Sequence, residues 1–209
     1  MRAVVITPPE PLVTALDAKI WAPVLGDDSD PRVAALLQVA QAAIEAPNGW
    51  LGRALGMQTL EARFDSFRDP CLFLPYPPLR EVQLLTYRDA AGGDHEMPIS
   101  DLRVLGIGTK AGSIAPIGSQ GWPVTDAGPE AVRVRYSAGY PADDQEAAPI
   151  RHAVVLAAVQ LRALSTQDLS LRSRQTEGVG SRTWTVSEVA YQLVQRSIGD
   201  LLQPFRIYA

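Results

Sequence analysis

The sequence predicts an α+β protein with an N-terminal helix pair, a central antiparallel β region and C-terminal helices. Apolar residues recur at helical spacing before residue 46 and again after residue 149. Between residues 58 and 140, apolar and polar residues alternate instead, as they do in half-buried strands. The strands come in one run and do not alternate with helices, which disfavours a parallel βαβ architecture.

The helix pair is predicted over residues 14–22 and 30–46. Thr14 and Asp17 have the spacing of a capping box, and Pro23 ends the first helix. The second helix begins at Asp30, which is followed by a proline in the first helical turn. Its apolar residues lie on one face: Val33, Leu36, Leu37, Ala40 and Ile44.

The β region is predicted over residues 58–140. Leu60, Ala62 and Phe64 alternate with polar residues and predict the first strand. A strand at 102–105 is predicted to return after a turn at Gly92 and Gly93. The other strands are predicted at 71–74, 81–88, 113–117 and 131–137.

The C-terminal helices are predicted at 149–164 and from Ser187 to just before Pro204. The apolar stripe of the last helix is Ala190, Leu193, Val194, Ile198, Leu201 and Leu202. A polar segment rich in serine and arginine, residues 165–182, separates these helices. The predicted division is therefore a body over 1–164 and a linker with a docking helix and tail over 165–209.

Composition limits the classes of function. The chain has 209 residues, 46% of them hydrophobic, and a net charge of −4. Its apolar runs are shorter than the ~20 residues of a membrane-spanning helix, so we expect no membrane contact. Cys71 is the only cysteine, which excludes an intrachain disulfide and fits a reducing, cytoplasmic origin. The negative charge disfavours a protein that grips nucleic acid over its whole surface.

Few residues have the types and spacing of catalytic groups, and the sequence predicts no enzyme, no cofactor and no metal. His95 lies in a predicted hairpin and His152 at the start of a helix, and both are interpreted as surface or structural residues. Asp27, Asp28 and Asp30 resemble a small calcium cluster but lack the further oxygen ligands of an EF-hand. They are interpreted as a helix cap with solvated charge.

The C-terminal segment gathers aromatic residues and arginine after the last helix. Phe205, Arg206 and Tyr208 follow Pro204, and Trp184 precedes the helix. Such residues are typical of contact surfaces between proteins, so the segment is predicted to dock. The alternative is that it folds back onto its own domain.

Several short motifs together resemble one family. They are GWLGRAL at 49–55, QTLE at 58–61, LPYPPL at 74–79, VRVRYSAGYP at 132–141, PIRHAVVL at 149–156 and LLQPFR at 201–206. Their order and spacing are similar to those of the head-tail connector (adaptor) proteins of long-tailed phages and gene transfer agents. The resemblance does not extend to residues 109–130 or 165–177.

The resemblance implies a structural protein of a particle neck. Twelve subunits would form a ring beneath the portal protein, continue the DNA channel without binding DNA specifically, and present a platform to the next neck or stopper protein. The implied portal-binding residues are Trp184, Leu201, Leu202, Pro204, Phe205, Arg206, Ile207 and Tyr208.

Two alternatives remain open. One is another neck component, such as a head-closure or tail-terminator protein, although these are mostly β. The other is a small hydrolase or binding domain, which the lack of a polar catalytic cluster disfavours.

Overall fold

The computed structural model describes residues 2–118, 121–164, 174–176, 180–182 and 188–207. It confirms the α+β class, with helices and antiparallel sheets. The chain forms two compact units, each built from segments that are distant in sequence. The first comprises Met1–Leu12, Ile44–Asp144 and Phe205–Ala209, and the second comprises Val13–Ala43 and Gln145–Pro204. This division differs from the predicted 1–164 and 165–209 because the helices of both ends belong to one unit.

The first unit contains two antiparallel sheets. Its strands, in chain order, are β1 Arg2–Thr7, β2 Gln58–Phe64, β3 Leu72–Leu74, β4 Leu79–Arg88, β5 Asp94–Met97, β6 Leu102–Leu105, β7 Gly112–Pro116 and β8 Val132–Ala138. Five of them form one sheet in the order β1-β2-β8-β4-β5. The other three form a second sheet in the order β3-β7-β6.

Both sheets contribute to one hydrophobic core. Leu60, Leu85 and Val134 from the large sheet are fully buried in it, together with Ile114 from the small sheet. Tyr136 is also fully buried, and its hydroxyl donates a hydrogen bond of 2.5 Å to the carbonyl of Pro75. Burial raises the pKa of Tyr136 far above its usual range, so this phenol stays neutral and keeps its donor.

A strand is present at 102–105, but the prediction that it is the return strand after the turn at Gly92 and Gly93 is wrong. The strand that returns beside β4 is β5, whereas β6 pairs with β7 in the other sheet. The turn is tight, because Gly92 N–H donates to the carbonyl of Asp89 and Asp89 N–H donates to that of Gly93. The chain therefore reverses at once, and β5 has the sequence DHEM, which carries no apolar alternation.

Strand β1 was not predicted. It pairs antiparallel with β2 and forms one edge of the large sheet. Its sequence RAVVIT is rich in β-branched residues, which favour strands. The prolines that follow it are compatible with an edge position.

The second unit is mainly helical, with α1 Ala15–Trp21, α2 Asp30–Ile44 except for its last residue, α3 Ala148–Ala163 and α4 Glu188–Leu202. Both ends of each of these helices lie within two residues of the predicted ones. The hydroxyl of Thr14 accepts the N–H of Asp17 at 3.1 Å and donates to its carboxylate at 2.7 Å, so the predicted cap is present. None of the described helices combines the length and the apolar character that spanning a membrane requires.

Two features of this unit differ from the prediction. Leu193 is 60% exposed, so it does not belong to the buried stripe of α4, which Ile198 and Leu202 form. The polar segment also contains two short antiparallel strands, β9 Arg174–Thr176 and β10 Gly180–Arg182. These are held by backbone pairing, which composition alone does not reveal.

Candidate functional site

The turn between α2 and β2 is fixed by a buried carboxylate. One carboxylate oxygen of Glu45 accepts the N–H groups of Leu55 at 2.7 Å and Gly56 at 2.9 Å, and the side-chain amide of Gln58 at 2.8 Å. Glu45 is only 3% exposed. Three converging donors satisfy a charge that burial alone would make costly, so residues 45–58 form a rigid frame.

The same turn places Arg53 in the interior of the first unit. Arg53 is 2% exposed, and its Nε donates to the carbonyl of Phe205 at 2.9 Å. Its Nη1 donates to the hydroxyl of Tyr140, and its guanidinium lies over the Phe205 ring at 5.9 Å. No carboxylate pairs with Arg53 among the described residues, so aromatic faces and neutral acceptors hold this charge.

The C-terminal segment lies against this turn. The N–H of Ile207 donates to the carbonyl of Leu51 at 3.1 Å. The guanidinium of Arg206 lies over the ring of Trp50, 5.6 Å from its centroid. A β-carbon at Gly52, where φ is +71°, would lie 3.1 Å from the carbonyl oxygen of Ile207, so glycine allows this close approach.

We call Trp50, Phe205, Arg206 and Ile207 the tail surface. Trp50 is 46% exposed, Arg206 is exposed, and Phe205 and Ile207 are half-buried. The tail surface therefore presents an aromatic ring, a cation and apolar groups to solvent. Tryptophan and arginine are the residue types most enriched at the energetic centres of protein interfaces.

The predicted portal-binding residues are distributed over several places. Phe205, Arg206 and Ile207 come together on the tail surface, whereas Leu202 is fully buried within the second unit. Leu201 is half-buried at the end of α4, and Pro204 is exposed in the short 3₁₀ segment after it. Trp184 and Tyr208 lie outside the described residues. That this set binds a portal stays a prediction, and the described contacts agree with the alternative of a segment folded back onto its own chain.

Sequence reasoning gave no role to Trp50 or Arg53. Both belong to the motif GWLGRAL, whose glycines mark a special backbone. At Gly49 a β-carbon would lie 2.2 Å from the carbonyl carbon of Ile44, so no other residue fits there. In the sequence, the signal for these two residues was a tryptophan and an arginine that each follow a glycine.

Solved structures with the same fold come from gene transfer agent particles. A chain of a structure described as the virion of the native gene transfer agent particle matches with a TM-score of 0.66 and 19% identity, over 100% of this chain and 97% of that chain. A chain of the neck of the empty particle, computed with C6 symmetry, matches with a TM-score of 0.66 and 20% identity. A chain of the neck of the native particle, computed with C12 symmetry, matches with a TM-score of 0.64 and 21% identity. Both neck matches have the same coverage as the first.

The fold is shared with a chain of those particles. The likeness extends over the whole of this chain rather than over one unit. No protein-family model and no curated protein matches the sequence.

The two histidines have structural surroundings. The Nε2 of His95 lies 2.6 Å from the Asp89 carboxylate, and its ring stacks on Tyr87. The hydrogen bond to His95 lowers the pKa of Asp89, so this carboxylate stays charged. His152 lies beside the ring of Trp21, with 6.4 Å between the ring centroids.

One member of the acidic cluster, Asp28, is buried, whereas Asp27 and Asp30 are exposed. Asp28 is 8% exposed and accepts a hydrogen bond from Arg162, and it also pairs with Arg32 at 3.1 Å. The interpretation as solvated charge is therefore wrong for Asp28, because two guanidinium groups hold it in a partly buried ion-pair network. Within the described ranges, no group of three or more His, Cys, Asp or Glu side chains is placed to hold a metal ion.

Proposed function

We propose that this chain is a structural head-tail connector in the neck of a phage-like particle. It forms a ring below the portal protein, continues the DNA channel and joins the capsid to the tail. The observation that carries the proposal is the match of the whole chain, at a TM-score of 0.64, to a chain of a gene transfer agent neck computed with C12 symmetry. A ring of twelve subunits follows from that symmetry by analogy.

An exposed apolar row on α1 supports assembly into a ring. Leu16 is 68% exposed, Ile20 is 66% exposed, and Val24, just after the helix, is 51% exposed. These residues are four apart, so Leu16 and Ile20 share one helix face. An apolar row of this kind is costly in water and is typical of a surface that another subunit covers. In a ring, such a surface meets a different surface of the next subunit.

The tail surface supports contact with the portal. It combines Trp50 with Phe205, Arg206 and Ile207, and the frame of Glu45 and Arg53 holds it in one conformation. Preorganised aromatic and arginine anchors lose little conformational entropy on binding. We propose that the portal binds here, and that Trp184, Leu201, Leu202, Pro204 and Tyr208 also contribute to portal binding.

Other neck components are the second candidate. Head-closure and tail-terminator proteins are mostly β, and the helices α1 to α4 favour the connector instead. The net charge of −4 suits a channel through which DNA passes without being held, because a strongly basic wall would bind phosphates. No catalytic turnover is proposed.

Co-expression with the portal protein of the same particle tests the proposal. Cryo-electron microscopy of the purified portal should show an added ring of this chain with the symmetry of the connector layer. A variant with Trp50→Ala and Arg206→Ala should remain folded and fail to join the portal, whereas Arg103→Ala, at an exposed arginine of the small sheet, should join normally. Absence of an added ring on the purified portal would contradict the proposal, and a ring of this chain on purified tails instead would favour a tail-terminator protein.

A further inference from the structure

Three arginines lie in one row across the large sheet. The strand register places Arg2 of β1 opposite Arg63 of β2, and Arg63 opposite Arg133 of β8. The neighbours of Arg133 along β8, Val132 and Val134, point into the core, so the row of arginines lies on the opposite face of the sheet. Like charges directly opposite each other destabilise a sheet, so this row requires anions nearby.

Two carboxylates of the chain supply part of the compensation. Glu130 lies 3.0 Å from Nη1 of Arg63 and 3.8 Å from Nη1 of Arg2. Glu61 accepts from Nε of Arg63 at 2.9 Å and from Arg135 at 3.1 Å. Burial raises the pKa of Glu61, but the hydrogen bonds from Arg135 and Arg63 outweigh it, and the pKa lies below its usual range.

Arg133 is the arginine of the row with which neither of these two carboxylates pairs. It is exposed, and within the part of the chain that the structure describes it makes no ion pair. Arg2 is nearly as open, since 84% of its side chain is exposed and its distance to Glu130 is long. The two ends of the row therefore carry charges that the chain itself does not neutralise closely.

The row lines a cleft of about 510 Å³. The residues around it are Arg2, Arg63, Asp65, Pro129, Glu130 and Arg133. A smaller cleft of about 150 Å³ adjoins it through Glu130 and Arg133. We call these two clefts together the groove.

The backbone at Glu130 is strained in a way that positions its carboxylate. Its φ is +56°, a left-handed value that residues other than glycine rarely adopt. Its N–H donates to the carboxylate of Asp65 at 3.1 Å. Strain of this kind persists only where the surroundings fix it, and it concentrates at ligand-binding positions.

We propose that this groove binds an acidic segment of a partner protein, whose carboxylates pair with Arg133 and Arg2. Glu130 already pairs with Arg63 at the centre of the row, which shows that the row accepts a carboxylate. Guanidinium groups bind carboxylates through paired N–H donors, so each added pair gives both affinity and orientation. The inference does not depend on the neck assignment.

The charges of the groove favour protein carboxylates over nucleic acid. Asp65 and Glu130 stand beside the three arginines, so the local excess is one positive charge. Duplex DNA presents one negative charge per ~1.7 Å, and these two carboxylates would repel part of that array. A segment with one or two acidic side chains matches the available cations.

Fluorescence anisotropy at low ionic strength tests the proposal, with a labelled peptide of alternating glutamate and serine as the probe. We expect the peptide to bind the native chain, and its glutamine counterpart and a single-stranded oligonucleotide of equal charge to bind far more weakly. Arg133→Ala should weaken binding at least ~10-fold, as expected for the loss of hydrogen bonds to a charged group. Glu130→Gln should strengthen binding, because it removes the carboxylate that competes for Arg63 and Arg2.

The matched control is Arg103→Ala, which removes an exposed arginine from β6 in the other sheet. It should leave peptide binding unchanged. Because Arg133 is exposed, its substitution should also leave the thermal midpoint unchanged. Absence of peptide binding, equal binding of the oligonucleotide, equal losses in the Arg133 and Arg103 variants, or weaker binding by Glu130→Gln would each overturn the proposal.

Discussion

Arg53 shows how one buried charge can organise two distant segments. Its guanidinium reaches the carbonyl of Phe205 and the hydroxyl of Tyr140, and it lies under the Phe205 ring. A buried cation without a carboxylate costs free energy unless its donors are used and an aromatic face covers it. Here Nε and Nη1 each donate one hydrogen bond, and Nη2 is the nitrogen that lacks an acceptor among the described atoms.

Replacement of Arg53 should release the C-terminal segment. Arg53→Ala removes two hydrogen bonds from a charged donor, and we expect a loss of about 2 kcal/mol in the free energy of unfolding. Hydrogen exchange at the amide of Ile207, which donates to Leu51, should become much faster. Arg206→Ala serves as the control, because an exposed cation over Trp50 contributes only about 0.5–1 kcal/mol. Unchanged exchange at Ile207 in Arg53→Ala would show that other contacts hold the segment.

Asp28 should make the stability of the second unit depend on pH. The hydrogen bond from Arg162 lowers the pKa of Asp28 below its ordinary value of 3.8. The ion pair therefore stabilises the folded state fully above that value, and this contribution is lost as the pH falls through the folded pKa.

Urea unfolding at neutral pH and near pH ~3 measures this effect. Asp28→Asn should be clearly less stable than the native chain at neutral pH, and the difference should shrink in acid. Asp27→Asn, at the exposed neighbouring carboxylate, should show little difference at either pH. Equal differences at both pH values would mean that packing, and not charge, is the contribution of Asp28.

Among the elements, local signals were sufficient for the helices. The cap at Thr14, the proline in the first turn of α2 and the apolar spacing of α3 act within a few residues, so they are visible in the sequence. The alternation in β2 and β8 was equally local.

Pairing between elements could not be predicted in the same way. β5 is a polar edge strand, and β6 leaves the large sheet to join β7, which depends on contacts across the core. The contact of Arg53 with Phe205 spans 152 residues of sequence, so neither residue carries a local mark of the other. The portal-binding role of the predicted tail residues stays a prediction, and the contacts of this segment with Trp50 and Arg53 were missed.

Gly49, in the turn after α2, and Gly199, in α4, should respond oppositely to alanine. Gly49→Ala places a β-carbon 2.2 Å from the backbone of Ile44, and we expect a loss of at least about 1–3 kcal/mol as the turn after α2 is displaced. Gly199→Ala in α4 meets no atom within 4 Å and should stabilise the helix by about 0.5–1 kcal/mol. Thermal unfolding of both variants distinguishes these outcomes, and a stable Gly49→Ala variant would contradict the rigid frame.

At the scale of the whole molecule, the exposed apolar groups suggest a chain that is completed by assembly. The row on α1 and the tail surface are both exposed in the isolated chain, although their residues are typical of interfaces. Under the proposed function they meet a neighbouring subunit and the portal, respectively.

A charge on α1 should block the ring without unfolding the chain. Leu16→Asp with Ile20→Asp alters two residues that are 68% and 66% exposed, so the free energy of unfolding should change by no more than about 0.5 kcal/mol per site. Electron microscopy should show that this double variant no longer forms a ring on the portal. Leu193→Asp, at a 60% exposed leucine of α4, is the matched control and should assemble. Normal rings from the double variant would exclude α1 from the subunit interface.

The contact between Arg53 and Phe205 also sets how often the C-terminal segment is free. If release of the segment costs about 2 kcal/mol in total, the released conformation has a population of about 3% in the isolated chain. A partner that captures only the released segment then binds about 30-fold more weakly than it would bind a permanently free one. If the partner binds the released segment, Arg53→Ala should strengthen binding. If the partner binds the tail surface with the segment docked, Arg53→Ala should weaken binding. The direction of that single change therefore reveals whether the segment binds in its docked or its released conformation.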